Sequence, residues 1–401
     1  MNTKRITTEL SEAAALLRSG ELVAVPTETV YGLAGNGLDV SAVEQIYEVK
    51  GRPSVKPLSL MVPGPETIAQ CCEDIPKAAY TLASRFWPGP LTIVLKANSS
   101  VPEIVRAGGP TVGLRCPDHP ATLETLRLAQ IPFAAPSANP SGEASPKTAD
   151  EVLHYFDGKI AAVIDGGACG IGFESTIVDL SQTPYRILRQ GALPAEEIWN
   201  ALKQDVNVIG ITGGTGCGKT TALIFMKDQG ALLLDCDAVY HELLTTDDHL
   251  LSEINDRFPG VVADGALDRK KLGANVFRDA VALNDLNSIT HRYIREEIDR
   301  RLTDWARNGG TLAALDAVAL IESGMSDLCS TVIGITAPKE ERIRRIMQRE
   351  GISEEYAVSR VDAQKSNEWY ADHCDQILEN NGTLEEFESV CRKMLLEVLK
   401  K

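Results

Sequence analysis

The chain has 401 residues, 44% hydrophobic and 24% charged, with a formal net charge of −16. That length exceeds one ordinary core and predicts two domains, and no apolar run is long enough to span a bilayer. Acidic residues outnumber basic ones both before and after Val206, which argues against an extended basic face for stable nucleic-acid binding.

The nine cysteines are scattered, none in a CxxC pair, and their odd number fits no closed disulfide framework. A reducing, cytoplasmic setting is therefore expected. Glu9 and Glu12 interrupt the apolar core that a secretory signal would need.

In chain order, residues 11–19 read as an amphipathic helix and 21–25 as a buried strand ending at Pro26. PTETVYGL (26–33) follows, where a strand end fixes polar residues that a loop exposes. A helix over 41–49 delivers Lys50-Gly51-Arg52, two cations that in an extended loop can address one phosphate or carboxylate. A solvated basic turn is the plainer reading of that spacing. Strands are expected at 58–62, 91–96, 111–114, 133–135, 161–164, 175–179 and 185–188, with helices at 76–86, 121–129 and 148–156. The mixture predicts an α/β domain on a large twisted sheet. Polar residues recur just past strand ends: Arg115, Ser137 with Asn139, Ser175 with Thr176, and Arg189. If they converge they make an anion pocket. GGACGIG (166–172) lacks a lysine and reads as a mobile turn, and Cys71-Cys72 read as small buried residues on a helix.

Six ordered stretches, PTETVYGL, KGRPSVKPLSL, TVGLRCPDHP, APSANPSG, ESTIVDL and RQGA, resemble the threonylcarbamoyl-AMP synthase (YrdC-like) family over residues 5–203. The resemblance implies a twisted mixed α/β sheet domain over 1–205. It would join L-threonine, bicarbonate and ATP into threonylcarbamoyl-AMP and pyrophosphate, for modification of an adenosine in tRNA. Thr29, Met61, Arg115, Ala135 and Ser175 are implied around threonine. Lys50, Arg52, Lys56, Thr111, Ser137, Asn139, Ser145 and Arg189 are implied around ATP, with Lys50 and Arg52 as catalytic cations. Transient contact with tRNA-modifying transferase proteins is implied as well. Lys56 stands where many relatives have Asn, and Met61 where some have His. Carbamate formation and adenylation develop negative charge with no obvious covalent nucleophile, so positioned cations and Mg²⁺ should dominate.

The junction is short: a helix over 195–203, then an apolar run at 208–212, with no long flexible tether. GGTGCGKT (213–220) follows that run and precedes an apolar-periodic segment at 222–226. Strand, glycine loop and helix are the context of a phosphate-binding P-loop. Gly213, Gly214, Thr215, Gly216, Cys217 and Gly218 would turn backbone N–H groups around phosphate oxygens at a helix N-terminus. Lys219 would reach the β- and γ-phosphates, and Thr220 would offer its hydroxyl to Mg²⁺. A strand at 231–234 ends in Asp235-Cys236-Asp237, where one carboxylate can cap the next helix and the other hold Mg²⁺ or accept a hydroxyl proton.

Helices dominate 241–307, including a long run at 280–306 containing His291, and predict a substrate-binding cap. Residues 311–315 followed by Asp316 resemble a Walker B strand, and 332–336 is another buried strand. Pro338 opens a basic helix at 339–349 that carries Arg342, Arg344, Arg345 and Arg349. Arg345 and Arg349 share a face and predict a lid over ATP, whereas a solvated basic helix is the plainer reading. Thr383 and Glu386 have capping-box spacing.

GGTGCGKT, LLLDCDA, THRYI, LDAVALIE, RRIMQRE and ILENNG together resemble dephospho-CoA kinase over 207–399. Implied is a P-loop NTPase domain of nucleotide-kinase type over 206–401, with a parallel sheet, a helical substrate cap and a lid. It would transfer the γ-phosphate of ATP to the 3′-hydroxyl of dephospho-CoA. Lys219 and Thr220 would hold phosphates and Mg²⁺, Asp237 would serve as base and Mg²⁺ ligand, and Arg345 and Arg349 would act from the lid. The chain departs from that family at Val318, where relatives have Pro, and at Tyr370, where an Arg is common after Gln364. Beside a bifunctional enzyme stand two other readings: a synthase fused to a non-catalytic or differently specific nucleotide-binding domain, and an RNA-binding scaffold. The acidic charge speaks against the second, and retention of Lys50, Arg52, Lys219, Thr220 and Asp237 against an inactive fusion.

Overall fold

A computed structural model of the protein describes residues 2–263, 265–276 and 279–400. The chain forms two compact units, the first running to Lys203 and taking in Arg307–Gly309, the second comprising Gln204–Ala306 and the chain from Gly310.

The first unit carries β1 (Lys4–Ile6), β2 (Val23–Val25), β3 (Gly32–Asn36), β4 (Ser59–Met61), β5 (Leu91–Lys96), β6 (Thr111–Arg115), β7 (Phe133–Ala134), β8 (Ala162–Ile164), β9 (Thr176–Asp179) and β10 (Arg186–Arg189). They make one mixed sheet in the order β1-β8-β2-β3-β7-β4-β6-β5-β9-β10. Neighbours are parallel where β8 meets β1 and β2, where β4 meets β6 and where β5 meets β9; elsewhere they are antiparallel. Helices Leu10–Arg18 and Pro120–Ala129 place Leu17 and Leu126 in one buried cluster with Val23, Val25, Phe133 and Ile164. Each such side chain contributes roughly 1.5–3 kcal/mol by leaving water.

Two strands of this sheet lie outside the sequence expectation, β1 and β3. The β3 sequence, GLAGN, has two glycines and no β-branched residue, a poor strand by composition. It pairs because the glycines leave room. A Cβ on Gly35 would press on Leu22 and Ile46, and one on Gly32 on Met61.

The second unit carries β11 (Asn207–Thr212), β12 (Leu232–Asp235), β13 (Val262–Ala263), β14 (Ala266–Leu267), β15 (Leu312–Asp316), β16 (Thr331–Thr336) and β17 (Gln376–Glu379). Five of them form an all-parallel sheet in the order β12-β15-β11-β16-β17. The near-continuous apolar runs of β11 and β16 suit strands covered on both faces. Helices Lys219–Asp228 and Leu384–Val398 bring Phe225, Met226, Phe387 and Leu395 into one core with Ile209, Ile211, Ile333 and Ile335. The helical region expected at 241–307 is interrupted by the β13–β14 hairpin. Its last element, helix Ala280–Arg307, buries Leu286, Ile294, Ile298 and Leu302 as a stripe. The capping box of Thr383 and Glu386 is formed. Among the described residues no helix is long and apolar enough to cross a membrane.

The glycine loop leaves the carboxyl end of the central strand β11, with β15 on one side and β16 on the other, where open α/β sheets bind ligands. Gly213 starts the turn at φ +141, and a Cβ there would strike the Ile335 carbonyl on β16. Gly213→Ala is expected to destabilise the second unit by about 1–3 kcal/mol and to abolish ATP binding at the loop. Hydrogen exchange of the β11 and β16 peptides checks this, and protection equal to wild type would refute it.

Candidate active sites

In the first unit one cleft collects residues from the ends of several strands. Arg52, Met61, Arg115, Ala135, Ser137, Ser175 and Arg189 all line it, together with Tyr31, Gly32, Ser59, Thr92, Glu174 and Ile177. Arg115 is nearly buried at the end of β6. Its Nη2 donates to Thr29 Oγ1 (2.7 Å) and pairs with Glu28 Oε1 (2.7 Å), and Glu28 Oε2 accepts from the Asp118 amide (3.0 Å). Arg115 Nε is buried with no partner, a spare donor on a residue that lines the cleft. Thr29 is fully buried behind it, beside Thr27 Oγ1 (2.9 Å). The Ser175 hydroxyl meets Thr92 Oγ1 (2.8 Å), and Arg189 Nη2 donates to the Ser175 carbonyl (2.8 Å) while Nη1 pairs with Glu174. Arg52 Nη2 donates to the Pro57 carbonyl (2.9 Å).

The two cations of KGR do not point together. Helix Val40–Lys50 ends at Gly51, whose left-handed φ of +59 turns the chain between them. Lys50 is 4% exposed and donates Nζ to the carbonyls of Ser137 and Asn139, so it braces the loop behind the cleft. Burial, with Arg52 adding to it, pulls its ammonium down to about 8. Asn139 is buried and gives its amide to the carbonyls of Pro140 (3.1 Å) and Glu143 (2.6 Å). Lys56, Thr111 and Ser145 do not line the cleft either: Lys56 is exposed, Thr111 sits opposite Lys96 in the sheet, and Ser145 precedes Pro146, whose carbonyl takes the Tyr31 amide (2.9 Å).

Glu28 is the residue that sequence reading passed over. An acid in PTETVYGL and an arginine 87 residues later have no local spacing to link them. The 166–172 segment is pinned, contrary to the mobile turn expected. Tyr31 Oη donates to the Gly167 carbonyl (2.8 Å), and the amides of Ile171 and Gly172 donate to the carbonyls of Glu28 (2.8 Å) and Thr29 (3.0 Å). The nine cysteines are free. Cys71 ends a helix, but Cys72 is extended and bridges Ala97 rather than lying on that helix, and burial pushes its thiol up to about 12.

In the second unit the cradle above β11 is lined by Gly214, Thr215, Gly216, Gly218, Lys219 and Thr220, with Asp316, Arg345, Arg349 and Arg360. Lys219 Nζ rests on the Gly213 carbonyl (3.1 Å). Gly213 and Cys217 stand outside the cradle, the first packed on Ile335 and the second buried. Arg345 Nη1 donates to the Gly216 carbonyl (3.3 Å), and Arg349 and Arg360 both pair with Glu350. Arg360 comes from the next helix, Glu354–Asp362, too far along the chain for helical spacing to have joined it to Arg345.

Asp235 is the helix cap of the Asp235-Cys236-Asp237 stretch, accepting from the amides of Asp237 (2.9 Å) and Ala238 (3.0 Å). Asp237 is thus left uncommitted, and it lines a separate, neighbouring pocket with Tyr240, Asn287, Thr290, His291 and Val318. The carboxylate that shares the cradle with Thr220 is Asp316, not Asp237. Burial pushes Asp316 up to about 6, Asp235 and Asp237 adding to the rise and Lys219 opposing it. Its Oδ1 is buried with no partner. Such an orphaned oxygen beside a free hydroxyl fits a divalent cation. Among the described residues no three His, Cys, Asp or Glu side chains gather as a metal cage. A cation here would need oxygens from a bound phosphate, as Mg²⁺ usually does.

Comparison with known proteins agrees with this division. A family model described as "Telomere recombination" matches residues 15–191, and one described as "Dephospho-CoA kinase" matches residues 207–386. The second half is 33% identical over 192 residues to a dephospho-CoA kinase of Corynebacterium glutamicum, covering 47% of this chain and 98% of that protein. The chain belongs to the dephospho-CoA kinase family. Its first half is 49% identical over 186 residues to the threonylcarbamoyl-AMP synthase of Pyrococcus abyssi, and 45% over 211 residues to that of Bacillus subtilis. These matches take in 46% and 49% of this chain, and the chain spans only 55% and 61% of those two relatives. The molecule is a two-domain fusion.

Two outcomes follow from the geometry. Glu28 and Arg115 are a nearly buried pair, so Glu28→Ala leaves a buried cation uncompensated. It is expected to lower the stability of the first unit by about 3 kcal/mol, read by hydrogen exchange across β2, β3 and β6, and unchanged protection there would contradict it. Burial raises the Asp316 carboxyl to about 6 in the fold from an ordinary 3.8, so the folded state holds the extra proton and stability falls as pH rises from 3.8 towards 6. Asp316→Asn should remove that fall, leaving the ligand-free second unit more stable than wild type at pH 7 in urea titrations. A variant less stable than wild type at pH 7 would reverse the assignment.

Proposed function

We propose that the protein is a bifunctional cytoplasmic enzyme, a threonylcarbamoyl-AMP synthase joined to a dephospho-CoA kinase. In the first unit the supporting observation is Arg115, fixed by Glu28 and Thr29 and left with a buried unpaired Nε. That donor suits the carboxylate of L-threonine, with Met61, Ala135 and Ser175 around the rest of the molecule. Arg52, Ser137 and Arg189 line the same cleft and would take the ATP phosphates and the carboxylated intermediate. Lys50 acts from behind, bracing the Ser137–Asn139 loop. Water exclusion and fixed cations stabilise the charge that develops on adenylation. The product serves tRNA modification, through transient contact with a transferase and without stable RNA binding.

In the second unit the reading is carried by four cations, Lys219, Arg345, Arg349 and Arg360, that line one P-loop cradle. They would spread charge from the transferring γ-phosphoryl group. The neighbouring pocket, with Asp237, Tyr240 and His291, would hold the acceptor, and Asp237 would take the proton of its hydroxyl. Thr220 and Asp316 would hold the Mg²⁺ that arrives with ATP, which supplies charge neutralisation.

Mass spectrometry on two substrate sets tests both halves. ATP, L-threonine and bicarbonate should give threonylcarbamoyl-AMP and pyrophosphate, and Arg115→Met should lose this product roughly a hundredfold. ATP and dephospho-CoA should give CoA and ADP, lost in Lys219→Ala. Absence of either product from the wild-type chain removes that half of the proposal.

A further inference from the structure

We propose that Arg342 and Gln364 are positioning residues that set the shape of the P-loop from the lid side, and that bound triphosphate supplies the counter-charge Arg342 otherwise lacks. This rests on reading the second unit as an ATP-dependent kinase.

Thr215 is held at each of its polar atoms. Its amide donates to Gln364 Oε1 (2.9 Å), its carbonyl accepts from Arg342 Nε (3.0 Å), and its hydroxyl accepts from Gln364 Nε2 (2.9 Å). Arg342 Nη2 closes the ring on Gln364 Oε1 (2.5 Å). The next carbonyls are captured on the same side, Gly216 O by Arg345 Nη1 (3.3 Å) and Cys217 O by Asn380 Nδ2 (2.8 Å). In a planar trans peptide the C=O and the following N–H point in opposite directions. The carbonyls of Thr215 and Cys217, held in this way, turn the amides of Gly216 and Gly218 towards a bound phosphate, while the Cys217 amide is taken by the Gly214 carbonyl (3.2 Å). Gly214 completes the latch, because a Cβ there would collide with the Arg342 guanidinium.

Charge gives the latch its second role. Arg342 is 4% exposed and pairs with no carboxylate among the described residues. Carbonyl and carboxamide dipoles offset only part of the cost of burying a cation, several kcal/mol when no counterion is near. The cradle beside it adds further cations, of which Arg349 and Arg360 share Glu350, and its lining holds one acid, Asp316. A polyphosphate seated on the inward amides completes the balance.

Gln364→Glu separates this from a purely structural role. The carboxylate keeps both acceptor contacts, from the Thr215 amide and from Arg342, and the Thr215 hydroxyl can donate to it. A structural latch is then kept or strengthened. An internal anion in the phosphate's electrostatic place should instead weaken ATP. The expected result is a melting temperature at or above wild type, with ATP affinity and the ATP KM both worse by roughly tenfold or more and the dephospho-CoA KM within twofold. Binding is measured on the full chain by ATP titration, with Lys219→Ala defining the signal of the other ATP site. Wild-type ATP affinity in a folded Gln364→Glu protein overturns the proposal. Should that variant not fold, Arg342→Lys keeps the charge and loses the fork. It should raise the ATP KM several-fold, and a wild-type value overturns the proposal equally. A wild-type chain that binds ATP but forms no ADP with dephospho-CoA defeats the kinase reading and leaves the binding test of the latch standing.

Discussion

Which way three peptide planes face decides what the second unit can do. The carbonyls of Thr215, Gly216 and Cys217 are each held by a side chain outside the loop, so the amides of Gly216 and Gly218 face the cradle, and that of Cys217 closes the turn on the Gly214 carbonyl. The glycines permit this arrangement and do not create it. Gly213 makes the turn possible at its positive φ, but Arg342, Arg345 and Asn380 choose its direction. The same logic operates in the first unit without a P-loop. There Arg115 is aimed by Glu28 and Thr29, and the Ser137 loop by Lys50. Fixed donors need no reorganisation when charge develops, which is where electrostatic catalysis has its advantage.

That difference explains how much was legible in the sequence. Phosphate binding by consecutive backbone amides leaves a contiguous signature, so GGTGCGKT announces itself with its flanking strand and helix. The first cleft is drawn from residues between Val30 and Arg189, scattered over β3, β4, β5, β6, β9 and β10. Its members were readable only as polar residues past strand ends, until ordered motifs linked them. Supporting residues were the least visible. Glu28, Arg360 and Gln364 act through partners 87, 10 and 149 residues away, distances at which periodicity carries no information. The strand β3 was hidden for another reason: its glycines are there to admit neighbours, and strand propensity measures the opposite.

The global charge and the local charge also answer different questions. A chain at −16 repels polyanions at long range, yet each cleft is lined by cations. Screening confines the repulsion to about 8–10 Å at physiological salt, whereas the Arg115 and Arg342 guanidiniums act within hydrogen-bond distance from nearly buried positions. Acidic surface therefore argues against extended RNA contact and not against small phosphorylated ligands.

The departure at Tyr370 can be weighed in the same terms. Tyr370 is 1% exposed, and burial pushes its phenol up to about 12, so it is a neutral core residue beneath the lid. An arginine in that place would bring a second buried cation close to Arg342, whose charge already reaches Tyr370. Each added like charge raises the cost of the first. The cradle keeps Lys219, Arg345, Arg349 and Arg360 without it, and Arg360 is presented by the helix that leads into Gln364. Val318, the other departure, lies in the pocket beside Asp237 and accepts the Thr212 hydroxyl at its carbonyl (3.2 Å), a main-chain contact that proline would also supply. Neither substitution removes a group that faces phosphate, so the departures bear on how the lid and pocket are packed and leave the charge of the cradle as it was.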